Sequence, residues 1–350
     1  MLFLDIVWSR MSSASGYRDG VYGVCFAEGN VYAVGFDELH GYGKKRYRIE
    51  SYSVRDGVPL AKWADDKSYT IASLTSCVSA RGHIYAFGAS ERFWSILEFD
   101  KDLNLVKRVD IDKPYLVPFS AVALDRYIYV VGTTLTSEGS TAMYVARVVI
   151  DTLSMDKSFS TDREGRGAGA YAVAYNKIAN RVVVGGFDRS EGAMNWLLTF
   201  LTRDLELIKI VRPDVKGSIT GLAVNPEGSI YAVSRDVVAK FGREGELIIS
   251  TTSVPGVKVY SSQDPSTPIG ANAVVIADNN AYVLSSDRLS IVDSTRLSRG
   301  PQILTTFIGS MDSDNDKVYV ALTQVVTKDD WNWTIVALRP RIRRFMIFRR

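Results

Sequence analysis

Short apolar runs, mostly built around a tyrosine and ended by glycine or serine, return along the whole 350-residue chain. Typical copies read VYAVG, IYAFG and IYVVG. The copies begin at Val31, Ile84, Ile128, Val182, Ile230, Ala281 and Val318. Their first residues lie 53, 44, 54, 48, 51 and 37 positions apart. Tyrosine and β-branched residues favour strands, so each copy predicts one β-strand of a repeated unit.

Each unit also predicts three further strands. A run of small and apolar residues precedes the copy, as at 20–26 and 219–224, and a turn rich in glycine, asparagine and aspartate joins the two. A strand with period-two alternation follows, as at 46–54, and then a shorter, more charged strand, as at 105–109. This period predicts an all-β protein, a seven-bladed β-propeller of four-stranded blades, with six or eight blades as the alternative.

The seventh unit lacks a clear fourth strand after Leu338, whereas residues 3–8 have the pattern of one. We expect this N-terminal strand to complete the last blade and close the ring, because an open array leaves two end faces exposed. The alternative is that residues 345–348 supply the strand. The predicted organisation is one propeller domain over residues 1–338, followed by a basic and hydrophobic tail at 339–350.

Two segments resemble degenerate kelch repeats, in which a strand ending in two glycines leads to a strand with aromatic residues. They are the unit at 84–100 and VVVGGFD at 182–188. The spacing covers nearly the whole chain, but the double glycine occurs in one unit, and the Gly-His and Trp-Asp pairs of WD40 repeats are absent at the matching places. The resemblance implies a propeller that serves mostly as a binding scaffold, and it selects no subfamily.

Composition indicates the compartment more than the activity. The chain is 46% apolar and 23% charged, as in folded soluble proteins. No run approaches the roughly 18 to 20 apolar residues that span a bilayer, and the N-terminus does not resemble a signal peptide. We therefore expect no transmembrane segment and a cytoplasmic location. Cys25 and Cys77 fall in equivalent predicted first strands and are expected as buried thiols. The scarcity of thermolabile residues suggests a thermophilic source.

Little in the sequence points to catalysis. There are two histidines, no histidine or cysteine pairs with zinc-ligand spacing, no nucleophile elbow and no phosphate-binding loop. The acids of DSDND at 312–316 alternate as in a calcium loop, but the glycine and the distal glutamate of that loop are missing, and a turn is expected there. We predict no catalytic residue, no cofactor and no metal site.

Connection lengths indicate where a partner binds. The second-to-third-strand connections are short in units five and six and long at 36–45, 133–141, 187–194 and 323–332. In a ring, the long ones form two walls around a cleft, and such loops often carry binding residues. The candidate partner-binding residues are Asp37, His40, Tyr42, Phe187, Asp188, Glu191, Asp330 and Trp331. Aromatic anchors with mixed charges favour a scaffold for a protein partner. The alternative is a hydrolase or sugar-acting enzyme that uses carboxylates at the channel mouth, with or without a divalent cation.

The tail carries the excess positive charge. The net charge is +3, and removal of the six tail arginines leaves 36 basic residues against 39 acidic ones. The candidate anchor residues are Arg341, Arg343, Arg344, Phe345 and Phe348. Their pattern suits docking on the propeller itself, a nucleic acid or an anionic membrane surface. A further insertion at 251–268 is expected to be a functional loop or a surface excursion.

Overall fold

The computed structural model describes residues 2–342, except 92, 113–115, 137, 162–166, 190–191, 235–236, 252–273, 278–279, 286–287, 293–296, 303–306 and 315. These residues form 28 β-strands and no helix, which confirms the all-β prediction. The first half of the strands are β1 (Leu2–Ser12), β2 (Gly20–Ala27), β3 (Asn30–Asp37), β4 (Arg46–Ser53), β5 (Pro59–Ala64), β6 (Ala72–Ala80), β7 (His83–Ser90), β8 (Phe93–Phe99), β9 (Leu105–Asp112), β10 (Val117–Leu124), β11 (Tyr127–Leu135), β12 (Thr141–Val149), β13 (Ser154–Ser160) and β14 (Ala168–Asn176). The second half are β15 (Arg181–Asp188), β16 (Asn195–Leu201), β17 (Leu207–Val211), β18 (Gly221–Val224), β19 (Ile230–Val233), β20 (Val238–Phe241), β21 (Leu247–Thr251), β22 (Val274–Ala277), β23 (Asn280–Ser285), β24 (Arg288–Val292), β25 (Leu297–Gln302), β26 (Phe307–Ser313), β27 (Val318–Thr327) and β28 (Asp330–Ile342).

The described strands pair into seven four-stranded antiparallel sheets. Sheets 1 to 6 each take four consecutive strands, from β2–β5 to β22–β25, and sheet 7 has the order β1-β28-β27-β26. The first strands of neighbouring sheets contact one another in series from β2 to β26, and β26 contacts β2. Each of the seven repeated runs found in the sequence forms the second strand of its sheet.

The apolar core lies between neighbouring sheets. The tyrosines of the repeated runs fill these spaces: Tyr32, Tyr85 and Tyr129 are each 1% exposed or less. Two of their hydroxyls also reach the next sheet, since Tyr32 donates to the carbonyl of Lys101 and Tyr129 to that of Arg203. These tyrosines therefore pack neighbouring sheets together.

Sheet 4 shows how the run without a tyrosine is compensated. Its second strand has Val183 at the tyrosine position, and Val183 pairs with Phe200 on the third strand. The residues opposite Tyr32 and Tyr129 are Ser51 and Arg147 instead. Phe200 and Val183 are both fully buried in the cluster between sheets 4 and 5. The aromatic volume has therefore moved one strand outward, and the space between the sheets stays filled.

β1 is the fourth strand of sheet 7. It pairs with β28 from Leu2 opposite Ile342 to Ser12 opposite Trp333. β28 continues past Leu338, so the first residues of the predicted tail lie in a strand, and Arg341 pairs with Phe3. The remaining tail candidates, Arg343, Arg344, Phe345 and Phe348, and most of the 251–268 insertion lie outside the described residues.

Side chains of sheet 7 bind the backbone of β2 and so join the last sheet to the first. The amides of Val21, Val24 and Phe26 donate to Thr323 Oγ1 at 3.0 Å, Ser310 Oγ at 2.6 Å and Asp312 Oδ2 at 2.7 Å. The sequence predicted a turn at 312–316. The connection begins only at Asp314, because β26 runs to Ser313 and uses its polar residues to bond the neighbouring sheet.

Asp312 gives this junction a pH dependence. Burial raises the pKa of Asp312 to about 6, and the negative charge of Asp314 adds to the effect. The folded protein therefore holds this proton more tightly than the unfolded chain. Asp312 stabilises the fold below about pH 4, and this contribution is lost as the pH rises through 6. Between pH 4 and 7, the unfolding free energy of the wild type should fall by roughly 1 to 3 kcal/mol because of Asp312, and Asp312→Asn should not show this fall.

Urea unfolding at several pH values measures this difference. Other buried acids contribute equally to both proteins, so the wild-type curve minus the variant curve isolates Asp312. Parallel curves from pH 4 to 7 would show that Asp312 does not titrate in this range.

The thiols of Cys25 and Cys77 are buried and free, as the sequence predicted.

Candidate functional site: the junction of the first and last sheets

The candidate site lies where the segment 13–19, which joins β1 to β2, meets the β27–β28 hairpin. Asp19 N donates to Trp331 O at 3.0 Å, and Trp331 N donates to Tyr17 O at 3.1 Å. Two hydrogen bonds thus fix the segment against the hairpin of the last sheet. The loop after β3, residues 38–45, approaches the same place from the first sheet.

Arg18 joins these three segments at the surface. Its guanidinium lies over the Tyr42 ring, 5.0 Å from the centroid, and over the Trp331 ring at 4.8 Å. Nη2 donates to Asp329 Oδ1 at 3.2 Å. A guanidinium over aromatic faces combines cation–π attraction with apolar contact. Tyr42 is 55% exposed. With the exposed Tyr17 and Leu39, these residues form the junction patch, defined as Tyr17, Arg18, Leu39, Tyr42 and Trp331.

A buried ion-pair cluster centred on Arg48 of β4 supports the patch from below. Arg48 is fully buried and donates from Nη2 to Glu50 Oε1 at 2.5 Å and from Nη1 to Asp19 Oδ2 at 3.3 Å. Its Nε lies 4.0 Å from Asp37 Oδ2. The guanidinium also lies 4.3 Å from the centroid of the Trp333 ring. One cation thus holds Asp19 of the 13–19 segment, Asp37 at the end of β3 and Glu50 of its own strand.

Two carboxylates of the cluster also organise the loops. Asp19 accepts the amides of Ala14 at 2.6 Å and Ser15 at 3.1 Å, which fixes the turn that presents Arg18. Burial raises the pKa of Asp19, against the opposing effect of its hydrogen bonds. Burial likewise raises the pKa of Glu38, whose carboxylate accepts the amides of Gly43 and Arg18. Glu38 therefore ties the 38–45 loop to the 13–19 segment.

The structure separates the predicted site residues into three groups. Tyr42 and Trp331 meet in the junction patch, with His40 exposed nearby and Asp330 at the start of β28. Asp37 lies beneath and pairs with Arg46, whose Nε is 2.6 Å from Asp37 Oδ1.

The third group belongs to sheet 4. Phe187 and Asp188 are buried there, and Asp188 Oδ2 lies 2.6 Å from Arg212 Nε. Glu191 lies outside the described residues. The predicted residues therefore mark two separate places on the sheets.

One predicted wall has a different form. The sequence predicted a long loop at 323–332, whereas β27 and β28 continue to Thr327 and from Asp330 as an extended hairpin. Trp333 is fully buried, and its Nε1 donates to Phe36 O at 3.3 Å. The hairpin keeps strand structure because its inner residues pack on sheet 1, which a single-sequence pattern does not reveal.

Sequence reasoning missed Arg18, Asp19 and Arg48. Arg18 and Asp19 precede β2 directly, and their partners in the hairpin lie 310 or more positions away. The available signal was weaker: an Arg-x-Glu pair, Arg48 and Glu50, places two opposite charges on one face of a strand whose other face begins with Tyr47 and Ile49.

The described residues contain no group of three or more potential metal ligands. Within the same part of the chain, no helix is long and apolar enough to cross a membrane. The carboxylates that converge at this junction, Asp19, Asp37 and Glu50, pair with arginines of the chain itself.

Comparison with known proteins identifies the fold. The sequence matches no protein-family model and no curated protein sequence. The Neurospora crassa Pan2 WD40 domain is similar over 95% of each chain, with a TM-score of 0.62 and 8% identity. The Comamonas testosteroni quinohemoprotein alcohol dehydrogenase is similar over 96% of this chain and 76% of its own, with a TM-score of 0.60 and 10% identity. BamB from Moraxella catarrhalis aligns with a TM-score of 0.48. At these identities the similarity shows the fold, a β-propeller, and nothing about activity.

Proposed function

We propose that this chain is a non-enzymatic interaction scaffold, a seven-bladed propeller closed by its N-terminal strand, which binds a protein partner through the junction patch. The single observation that carries this proposal is the surface stack of Tyr42, Arg18 and Trp331, in which Tyr42 is exposed and the other two side chains are half-buried. Tyrosine, tryptophan and arginine are the residues that dominate binding energy at protein interfaces. The contacts of β26 with β2, and the place of β1 in sheet 7, support the closed ring.

The ion-pair cluster beneath the junction patch keeps the patch rigid, which favours binding without a rearrangement. Arg48 and its carboxylates hold the 13–19 segment and the 38–45 loop in one arrangement, so little conformational entropy remains to be lost when a partner docks. The same cluster argues against acid–base chemistry at this place. Asp37 pairs with Arg46, and Asp19 pairs with Arg48. A catalytic carboxylate pair instead needs two groups with different pKa values that lie near solvent and are not paired with arginines. The scaffold is therefore favoured over the hydrolase alternative.

The other expectations stay predictions. They are the kelch-like repeat subfamily, the cytoplasmic location, the thermophilic source and an anchoring role of the tail on nucleic acid or an anionic membrane. Because β28 includes residues up to Ile342, truncation after that residue leaves the last sheet intact. Comparing RNA and liposome binding of the truncated and full chains tests the tail.

Affinity purification with matched variants tests the proposed function. Tyr42→Ala and Trp331→Ala alter the patch, and Ile178→Ala is the control, since Ile178 is 57% exposed in a first-to-second-strand turn of sheet 4. We expect a partner that copurifies with wild type and the control to bind the patch variants at least about tenfold more weakly. Titration of the purified partner gives the affinities. Equal affinity of all four proteins would refute binding through the patch.

A further inference from the structure

Sheets 1 and 4 contain the same local motif. In each, the first strand carries Gly-x-Tyr and the second carries Gly-Phe-Asp; the residues are Gly20, Tyr22, Gly35, Phe36 and Asp37 in sheet 1, and Gly169, Tyr171, Gly186, Phe187 and Asp188 in sheet 4. A bulge in the first strand leaves the tyrosine out of the pairing register in both sheets. The Tyr22–Phe36 and Tyr171–Phe187 ring centroids are both 5.7 Å apart. The two motifs are structural copies.

The glycine of the first strand makes room for the phenylalanine ring. A Cβ at Gly20 would lie 2.3 Å from Phe36 Cε1, and a Cβ at Gly169 would lie 2.6 Å from Phe187 Cε1. No other residue fits under the ring without displacing it. The aspartate that follows each phenylalanine is neutralised in both copies, Asp37 by Arg46 and Asp188 by Arg212.

The copies differ in what covers them. In sheet 1, Tyr22 is 6% exposed, and Lys45, over the Phe36 ring at 4.6 Å, is fixed by two backbone hydrogen bonds with Tyr69. In sheet 4, Tyr171 is only partly buried, and burial raises the pKa of its hydroxyl. Arg189 lies 5.8 Å from the Phe187 centroid and is exposed. Among the described residues, Arg189 has no carboxylate partner and the Tyr171 hydroxyl has no hydrogen bond.

The surroundings of the sheet 4 copy are cationic and aromatic. Phe119 of sheet 3 packs edge-on against Tyr171 with centroids 4.9 Å apart. Arg212 and Lys216 are also exposed; Arg212 pairs with Asp188, the residue before Arg189, and Lys216 Nζ lies 2.9 Å from Asn195 Oδ1. An exposed arginine that pairs with no carboxylate among the described residues, next to one partly exposed ring, is complementary to a carboxylate next to an apolar group.

We propose that this open site, defined as Phe119, Tyr171, Phe187 and Arg189, binds an acidic segment of a polypeptide partner. A carboxylate of the segment pairs with Arg189, and an adjacent apolar side chain packs on Tyr171. A polypeptide fits better than single-stranded nucleic acid, because Phe119 and Phe187 are 7% and 4% exposed and leave one ring, not a platform for successive bases. The inference rests on the scaffold proposal for the class of partner and concerns a second place on the propeller.

Short synthetic peptides test the open site directly. The probes are an acetylated and amidated Glu-Phe-Glu peptide, the matching Lys-Phe-Lys peptide and oligouridylate, each titrated calorimetrically into the full chain. We expect the acidic peptide to bind at least about tenfold more tightly than the basic one. Arg189→Ala should weaken acidic-peptide binding by about 10- to 100-fold, the range for a charge-assisted hydrogen bond. Arg189→Lys should recover part of that loss.

Matched variants separate this inference from the junction patch. Lys45→Ala alters the closed copy in sheet 1, and Tyr42→Ala alters the patch, so neither should change peptide affinity. Arg189 is exposed, so its variants should keep the wild-type melting temperature. The inference is overturned if the acidic peptide does not bind wild type, if Arg189→Ala binds it equally well, or if oligouridylate binds more tightly. Loss of the natural partner in Tyr42→Ala alone would leave it standing.

Discussion

Replacing Arg48 by leucine is expected to lower the free energy of unfolding by about 3 to 5 kcal/mol, the cost of leaving a buried charge without its partner. Arg48 is fully buried and is the cation shared by Asp19, Asp37 and Glu50. Leucine fills part of the volume but carries no charge. The three carboxylates would then lose their shared cation in a low-dielectric environment. The effect therefore comes from the acids that remain, not from the lost side chain alone.

Urea unfolding of wild type, Arg48→Leu and Arg55→Leu measures this effect. Arg55 is exposed, and its substitution should change stability by less than about 0.5 kcal/mol. The deficit of Arg48→Leu should shrink as the pH falls, because burial raises the pKa of Asp19 and a protonated Asp19 needs no cation. A deficit under 1 kcal/mol at pH 7, or one independent of pH, would mean that the carboxylates find other partners.

Trp8→Ala should cost about 3 to 5 kcal/mol, as large aromatic truncations in cores do. Trp8 belongs to β1, is 5% exposed and packs between sheets 7 and 1, where its Nε1 donates to Val54 O at 3.0 Å. Its ring also lies against Gly57, which has a φ of +71° and would place a Cβ 2.6 Å from the indole. Trp8 is therefore the main apolar contact of the N-terminal strand with the first sheet.

Met11→Ala is the matched control for this strand. Met11 is 63% exposed, so its truncation should change stability by less than about 0.5 kcal/mol. Gly57→Ala should cost more stability in the wild type than in the Trp8→Ala variant, because removal of the indole leaves room for the methyl group. Thermal unfolding of the double-mutant cycle gives this coupling. Equal losses in Trp8→Ala and Met11→Ala would mean that β1 contributes pairing but no packing.

The strand pattern was readable because the spaces between sheets impose it. Tyr32, Tyr85 and Tyr129 each fill an equivalent gap, so the same residue recurs at the same place in each unit. The pattern failed where residues serve the neighbouring sheet. Asp312 is polar within a strand because its carboxylate accepts an amide of β2, and a turn is the usual context for such a residue. Sequence alone does not show which polar residue has a partner on a neighbouring sheet.

The candidate site was predictable in its residue types and not in its assembly. Tyr42 and Trp331 stood out as aromatic residues on long connections between strands, and they do meet, since both rings contact Arg18. The group that brings them together, Arg18, comes from a connection with no pattern of its own. Phe187 and Asp188 were expected on a loop wall, but they end β15 and are buried. Contacts that span most of the chain have no local periodicity, so they are missing from a single sequence.

The pairing of β1 with β28 has a consequence for biosynthesis. Asn332 of β28 donates to the sulfur of Met11 in β1, and the two residues are 321 positions apart in the chain. At about 5 to 20 residues per second, the N-terminal strand waits on the order of tens of seconds for its partner to be made. During that time its backbone edge and Trp8 have no partner strand or sheet 7 to pack against. Contacts of such separation also slow folding, so the last sheet should be the final one to form.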